Sequence, residues 1–283
     1  MSAVQIEDAA NFGPRLFHME REMSKLPALF VSHGSPMLAI QDSPARQFLQ
    51  SLGKSLPRPK AIAVVSAHWE SLGAPAVSFA ERPETIHDFG GFPGELFEIE
   101  YPAHGTPEIA GRVATLLEMA GYPVQRSFDR GLDHGAWVPL RLMYPDADIP
   151  TFQVSVVRGA SPAEHERLGK ALCSLRDEGV LVFGSGSLTH NLYEFRGQRI
   201  DAPVPSWVSD FGAWMKAALH SNQREALLDY RRQAPFAAKN HPTEEHLLPL
   251  FVAMGAAGDD RAARQLHASY EYGVLAMDVY AFS

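Results

Sequence analysis

The sequence has little that would suit it to secretion, to a membrane or to nucleic acid. It contains one cysteine, Cys173, in 283 residues, so no disulfide can form within the chain. Disulfides are typical of oxidising compartments, and we therefore expect a cytoplasmic protein. No apolar run approaches the roughly 20 residues that span a bilayer, and residues 1–25 lack the apolar centre of a signal peptide. The formal net charge is −8 without a basic cluster, which argues against a nucleic-acid partner.

The sequence also lacks the compact motifs that mark several classes of enzyme. There is no P-loop, no GxGxxG after a strand, no HExxH and no CxxC. Residues 184–187 read GSGS, which does not have the GxSxG spacing of a nucleophilic serine turn. Cys173 has no neighbours that indicate an activated thiol. Any catalytic site must therefore be assembled by the fold from residues that are distant in the sequence.

What the sequence does contain is a repeated pattern of an apolar run, small residues and a histidine. Continuous apolar runs of this length predict strands that are buried on both faces, as in a parallel sheet. In an open α/β sheet, ligands bind off the carboxyl ends of such strands. The pattern therefore predicts one imidazole-lined site shared by three strands. The three instances are residues 27–32 before His33, residues 61–65 before His68 and residues 180–183 before His190.

These patterns predict an α/β fold with a single domain. We expect a central mixed, mostly parallel sheet flanked by helices, with a metal site at the carboxyl ends of the strands. Residues 1–25 precede the first strand, and we interpret them as an N-terminal extension. It is either a flexible arm or a stretch upstream of a later start at Met19 or Met23. Residues 26–283 form the predicted domain.

Two further segments are expected to reach the site. Residues 80–105 form a long loop rich in proline, glycine and aromatic residues, and a loop of this length inside a compact domain is usually functional. We interpret it as a wall or lid of the pocket. A helix is predicted to start at residues 243–246, which places His246 in its first turn, where the side chain can point into the crevice.

Four of the twelve histidines are candidate metal ligands, because small residues or a helix start bring the backbone close around each of them. They are His33, His68, His190 and His246. Neutral imidazole binds Zn, Fe, Cu and Ni alike, so the ligand type does not name the metal. A fifth histidine, His134, is placed in a turn-rich loop.

Six motifs, in this order along the chain, resemble those of the class III extradiol ring-cleaving dioxygenases, specifically the 4,5-DOPA dioxygenase branch. They extend from about residue 26 to the C-terminus, so residues 1–25 lie outside the resemblance. The motifs are residues 32–37 (SHGSPM), 66–69 (SAHW), 85–93 (TIHDFGGFP), 133–135 (DHG), 189–192 (THNL) and 242–250 (PTEEHLLPL).

The resemblance implies a mononuclear metal site in an extradiol dioxygenase catalytic domain over residues 26–283. By motif, His33, His68 and His246 match the metal ligands. His190 matches either a fourth ligand in a zinc-filled resting site or the general base in turnover, with a pKa suited to neutral pH. His134 matches a histidine outside the ligand set that hydrogen-bonds the bound oxygen.

Some positions leave alternatives open. Wider relatives use two histidines and a glutamate, so Glu245 or Glu244 could face the metal in place of His246, which the motif favours. Two residues depart from the family pattern: Ala276 stands where a serine is common, and His104 where a proline often stands. Both positions are candidates for an effect on substrate preference.

The implied activity is the opening of a catechol ring by O2, in aromatic compound catabolism. Fe(II) would be the working metal, because zinc cannot exchange electrons with dioxygen, and Zn(II) could fill the resting or purified protein. A DOPA-like catechol and O2 are the expected partners, and the product would be a semialdehyde. His87, Phe89 and Phe92 would either line the aromatic pocket or pack the loop. A zinc-dependent hydrolase and a non-catalytic metal-binding protein are the alternatives.

Overall fold

The structure is a computed structural model that describes residues 25–259 and 261–283. The predicted N-terminal extension therefore lies outside the described residues, except for Lys25. In the described part of the chain, no helix has the length and apolar character needed to cross a membrane.

The described residues form an eight-stranded sheet and a separate two-stranded ribbon of β8 and β9. The strands are β1 (Ala28–Ser32), β2 (Ala61–Leu72), β3 (Ala76–Ser78), β4 (Gln125–Ser127), β5 (Thr151–Arg158), β6 (Val180–Gly186), β7 (Ala263–His267), β8 (Tyr270–Glu271), β9 (Leu275–Ala276) and β10 (Val279–Phe282).

Helices lie between the strands along the chain, with three short 3-10 helices at Pro36–Ala39, Gly94–Glu98 and Cys173–Arg176. The α-helices are α1 (Pro44–Ser55), α2 (Pro107–Met119), α3 (His134–Met143), α4 (Pro162–Ala171), α5 (Leu192–Phe195), α6 (Ser206–His220), α7 (Arg224–Leu228), α8 (Tyr230–Gln233), α9 (Ala237–Asn240) and α10 (Leu248–Ala257).

The sheet order is β4-β3-β5-β2-β6-β1-β10-β7. Its four central strands, β5, β2, β6 and β1, are parallel. On one side, β10 pairs antiparallel with β1, and β7 pairs antiparallel with β10. On the other side, β3 pairs antiparallel with β5, and β4 pairs parallel with β3. The predicted α/β fold with a mixed, mostly parallel sheet is confirmed. The carboxyl ends of β1, β2 and β6 therefore meet at one edge.

The central strands are buried because helices cover both faces of the sheet. Side chains alternate along β2, so Ala63 and Val65 enter one hydrophobic core while Ile62 and Val64 enter the other. The first core contains α10 and α4, and the second contains α1 and α3. Burial on both faces explains why these strands appear in the sequence as continuous apolar runs.

Strand β2 differs from the prediction that it ends at residue 65. It continues to Leu72, and its pairing with β5 shifts register between Ser66 and Glu70. Residues 67–69 are therefore left outside this ladder as a bulge, which re-aims side chains next to a site. His68 lies in the bulge, whereas the prediction placed it after the end of the strand.

The segment that carries His246 also differs from the prediction. Helix α10 begins at Leu248, with Pro249 in its first turn, so His246 lies two residues before the helix. Proline is favoured in a first turn because its missing N–H would have no partner there, and it fixes the start of the helix at this point. His246 belongs instead to a turn closed by a hydrogen bond from Leu247 N–H to Glu244 O, 2.9 Å.

Candidate metal centre and active site

Three histidine side chains from distant parts of the chain converge at the carboxyl edge of the sheet. His33 follows β1, His68 lies in the β2 bulge and His246 precedes α10. The Nε2 atoms of His68 and His33 are 3.0 Å apart, and those of His246 and His68 are 3.3 Å apart. One ring nitrogen from each residue lies within 4.8 Å of the other two. The structure therefore brings together three of the four candidate ligands.

Two glycines of β6 allow His246 to approach. A Cβ atom at Gly186 would lie 2.1 Å from the carbonyl oxygen of His246, and one at Gly184 would lie 2.4 Å from that of Pro249. Neither distance leaves room for a side chain. Just beyond the strand, the N–H of Ser187 donates to the His246 carbonyl oxygen at 2.8 Å. The GSGS sequence is therefore explained by the close approach of two backbone segments.

The hydrogen bond on the outer side of His33 sets the tautomer of its ring. The hydroxyl of Ser185 donates to the carbonyl oxygen of Gly135, so its remaining lone pairs can only accept. His33 Nδ1 lies 3.0 Å from this hydroxyl oxygen and must donate to it. We therefore assign the proton of the neutral ring to Nδ1, which leaves a lone pair on Nε2.

Carboxylates play the same part for the other two rings. His246 Nδ1 donates to Glu245 Oε1 at 2.9 Å, and His68 Nδ1 faces Asp88 Oδ2 at 3.4 Å. A carboxylate only accepts, so the His246 ring carries its lone pair on Nε2, and the carboxylate of Asp88 beside His68 Nδ1 favours the same tautomer there. With these tautomers, all three inward-facing nitrogens are acceptors. Metal-bound histidines typically donate their other N–H to a carboxylate, a carbonyl or a similar acceptor.

Burial keeps these three imidazoles uncharged. It lowers the pKa of His33 and of His246 well below the ordinary value, and neighbouring histidines lower both further. Burial, followed by the charge of His134, lowers the pKa of His68 to about 3. Two nitrogens that bind one ion at about 2.0–2.1 Å lie about 3.0–3.4 Å apart. Three neutral nitrogen acceptors at the observed separations fit one metal ion. The positive charge of that ion would bind the three lone pairs that otherwise face one another.

His134 begins α3, where the side chain of Asp133 caps the helix. Its ring centroid lies 4.0 Å from that of His68. Asp88 Oδ1 accepts from His134 Nδ1 at 2.9 Å and from the His134 backbone N–H at 3.0 Å. Burial alone would raise the pKa of Asp88, but the hydrogen bonds and charge of His134 hold it well below its usual range. Asp88 is therefore an ionised carboxylate shared by His68 and His134.

His190 lies beside the three histidines and outside their group. Its ring stacks on that of His246, with 3.4 Å between centroids and 10° between planes. One of its ring nitrogens lies within 4.8 Å of a ring nitrogen of His246 and of a carboxylate oxygen of Glu245. Burial, followed by the charges of His68 and His134, lowers the pKa of His190 to about 3. This pKa lies below the value suited to neutral pH that the motif predicts, because the motif does not reveal how buried the ring is.

The loop of residues 80–105 contributes aromatic side chains next to His134. The ring of Phe89 meets that of His134 edge to face at 5.6 Å, and Phe92 lies behind it at 5.5 Å. His87 Nε2 lies 3.0 Å from the carbonyl oxygen of Ile99 and donates to it. Phe89 therefore reaches the site, whereas His87 is tied to its own loop.

Sequence reasoning missed two residues of this site and left a third open. Asp88 stands inside the 85–93 motif, directly after the candidate substrate contact His87. Ser185 stands in the GSGS sequence, whose spacing does not fit a nucleophilic serine. Glu245, considered as a possible ligand, accepts from His246, and Glu244 points away and accepts from the Tyr230 hydroxyl at 2.9 Å. An acidic or hydroxyl residue next to a motif histidine in the sequence was the signal that could have identified these hydrogen-bond acceptors.

Comparison with known proteins identifies related chains. The model of a family described as the catalytic LigB subunit of aromatic ring-opening dioxygenase matches residues 27–282. A Beta vulgaris protein named 4,5-DOPA dioxygenase extradiol is 44% identical over 258 residues, which are 90% of this chain and 95% of the relative. An Escherichia coli K12 protein of the same name is 41% identical over 239 residues, which are 82% of this chain and 86% of the relative.

The fold has a close structural counterpart as well. The crystal structure of an uncharacterized Escherichia coli K12 protein is 35% identical in sequence and superposes with a TM-score of 0.76. The match covers 90% of this chain and 99% of the other. The family resemblance seen in the motifs is thereby confirmed. The chain belongs to the family of catalytic LigB subunits of aromatic ring-opening dioxygenases and is an extradiol ring-cleavage dioxygenase.

Proposed function

We propose that this dioxygenase uses Fe(II) to open the ring of a DOPA-like catechol with O2 and releases a semialdehyde. One observation carries the proposal: three neutral imidazoles direct Nε2 lone pairs at one another over 3.0 and 3.3 Å. Relatives named 4,5-DOPA dioxygenase extradiol support the choice of substrate class. When bound, Fe(II) would supply coordination for the diol and O2 together with the electron exchange that zinc lacks.

In this proposal, His33, His68 and His246 hold the metal. Ser185, Asp88 and Glu245 fix the orientation of these rings through Nδ1. Because this bonding sets the tautomer, each ring is ready to bind a cation before any cation arrives. Preorganised ligands of this kind reduce the cost of ordering the site on binding.

His190 is the proposed general base. Its low pKa leaves the ring neutral at physiological pH, so a lone pair is free to accept a proton from a catechol hydroxyl. The negative charge of a bound catecholate would favour the protonated ring by proximity, which offsets part of the effect of burial. Stacking on His246 holds His190 beside the ligand set.

His134 is the proposed hydrogen-bond donor to substrate oxygen. Its Nδ1–H stays bonded to Asp88, so a proton carried on Nε2 would be the one that is donated. Phe89, with Phe92 behind it, supplies an apolar wall against which an aromatic ring can pack.

Oxygen uptake tests the proposal directly. Protein loaded with Fe(II) under nitrogen and then given L-DOPA or another catechol in air is expected to consume one O2 per ring opened and to turn yellow. The matched control is the same preparation loaded with Zn(II), which is expected to consume none. An Fe(II)-loaded protein that consumes no oxygen across a panel of catechols contradicts the proposal. Zinc-dependent hydrolysis of an ester or amide would favour the hydrolase instead.

Replacement of Asp88 by asparagine is expected to weaken the site without removing a ligand. The amide would lose the charge that accepts from His134 and faces His68, and loss of such a partner typically costs about 10–100-fold in metal affinity or activity. Chelator competition and steady-state kinetics measure the two effects. Asp129→Asn, a change at an exposed aspartate that accepts from the nearby Ser127 hydroxyl, is the control. Equal behaviour of the two variants would contradict the role of Asp88.

A further inference from the structure

A second cavity lies away from the histidines, between α1 and α3. Its volume is about 490 Å³, within the range of about 300–1,000 Å³ that is typical of ligand pockets. Its polar lining consists of Arg46, Gln50 and Lys54 from α1 and Arg141 from α3, and the end of α3 completes it. Arg141 follows His134 by seven residues, which is about 10 Å along the helix axis. The cavity is therefore separate from the metal centre.

The charge of this cavity is opposite to that of the chain. Three of its side chains are cations, no carboxylate of the described residues lines it, and the chain as a whole carries −8. Within residues 25–259 and 261–283, none of the three cations forms an ion pair. The charge of Asp42 raises the pKa of Arg46, but the Asp42 carboxylate accepts a hydrogen bond from the Gln47 side chain. Asp42 does not line the cavity. Among the described residues, positive charge is thus concentrated here without an ion-paired carboxylate.

The two guanidinium groups are held in place by the backbone. Arg46 Nη1 donates to the carbonyl oxygen of Leu38 at 2.9 Å, and Arg141 Nη1 donates to that of Ala39 at 3.3 Å. A guanidinium has five N–H donors, so one bond each leaves most of the fork for a ligand. Burial, followed by the charge of Arg141, lowers the pKa of Arg46, as expected for two like charges held close together. An anion between them would relieve this repulsion.

Helix α1 extends the charged lining. Arg46, Gln50 and Lys54 are spaced four residues apart, so they form one row on the helix surface. A row with a backbone-bonded guanidinium at one end and an exposed ammonium at the other suits an elongated anion better than a single spherical one. Guanidinium forks match phosphate oxygens in pairs, and lysine adds a point charge.

We propose that this cavity binds a short oligophosphate of the pyrophosphate class, which is longer than a single phosphate. Arg46 and Arg141 bind one phosphoryl group, and Lys54 and Gln50 bind the next. The site is independent of ring cleavage, because none of the metal-centre histidines lines it. Failure of the catechol experiment would therefore not bear on pyrophosphate binding. Failure of pyrophosphate binding would likewise not bear on ring cleavage.

Calorimetric titration of inorganic pyrophosphate into the metal-loaded protein, at low ionic strength in a phosphate-free buffer, tests the inference. One pyrophosphate is expected per chain, bound more tightly than inorganic phosphate. Lys54→Glu and Arg141→Gln are each expected to weaken it by about tenfold or more, since one nearby charge is reversed or removed. Lys60→Glu, the same charge change at an exposed lysine outside the cavity, is expected to leave the affinity unchanged.

Three outcomes would overturn the inference. The first is the absence of measurable pyrophosphate binding. The second is binding that survives both cavity variants and disappears when the metal is removed, which would place the anion at the metal centre. The third is an equal loss in Lys60→Glu, which would show attraction to charge in general. Because Lys54 is exposed, its variant remains informative even if the Arg141 variant folds poorly.

Discussion

His68→Ala is expected to lose the bound metal. The change removes one of three convergent Nε2 donors and leaves His33 and His246, which lie on either side of it. Metal retained after dialysis is expected to fall by more than about tenfold, because loss of a ligand should exceed the about 10–100-fold cost of losing an outer hydrogen bond. Catechol-dependent oxygen uptake is expected to fall with it. Metal analysis alongside steady-state kinetics measures both quantities.

Two variants give this experiment its contrast. His220→Ala changes an exposed histidine at the end of α6 and is expected to retain both metal and rate. His134→Ala is expected to retain metal and lose rate, since His134 lies beside the three ligands but outside their group. A His68→Ala protein that holds metal as the unmodified protein does would remove His68 from the proposed ligand set.

His190→Ala is expected to lower kcat by about 10²–10⁴-fold, the usual contribution of a general base. The metal content is expected to stay unchanged, because the His190 ring stacks on His246 instead of joining the three convergent nitrogens. Metal analysis, kcat and KM, determined on the same Fe(II)-loaded preparation, separate loss of the base from loss of metal.

The same measurement distinguishes the two roles that the motif left open for His190. If His190 is a fourth metal ligand, His190→Ala is expected to lower the metal affinity, and the lost metal should account for the whole loss of activity. Recovery of activity with added imidazole would further support a base, because the missing group would be returned without altering the ligands. An unchanged kcat would exclude His190 from the chemistry.

Much of the framework of this site is predictable from the sequence. β1 and β6 are continuous apolar runs because helices cover both faces of the sheet, and their histidines follow at the ends. The order of the strands brings these ends together, so His33 and His190 could be assigned to one edge. The predicted helix start selected His246, although the helix begins two residues later, and the motif resemblance then matched it to a metal ligand.

Other features depend on contacts that the sequence does not encode locally. The bulge in β2 appears in the sequence as the end of a strand, because three unpaired residues resemble a loop. The bonds from His33 to Ser185 and from His134 to Asp88 join residues 152 and 46 positions apart. Such partners are chosen by tertiary packing. The low pKa of His190 likewise follows from burial, which a motif does not report.

The absence of side chains at two positions of β6 has a practical consequence for redesign. At Gly184 and Gly186 the obstacle to a larger residue is a backbone carbonyl, which cannot rotate aside as a flexible side chain would. Attempts to alter which aromatic substrate is accepted should therefore leave this strand untouched and begin with Phe89 and Phe92, the proposed wall of the substrate pocket. At these two positions, side chains of other sizes can be introduced without moving the turn that carries His246.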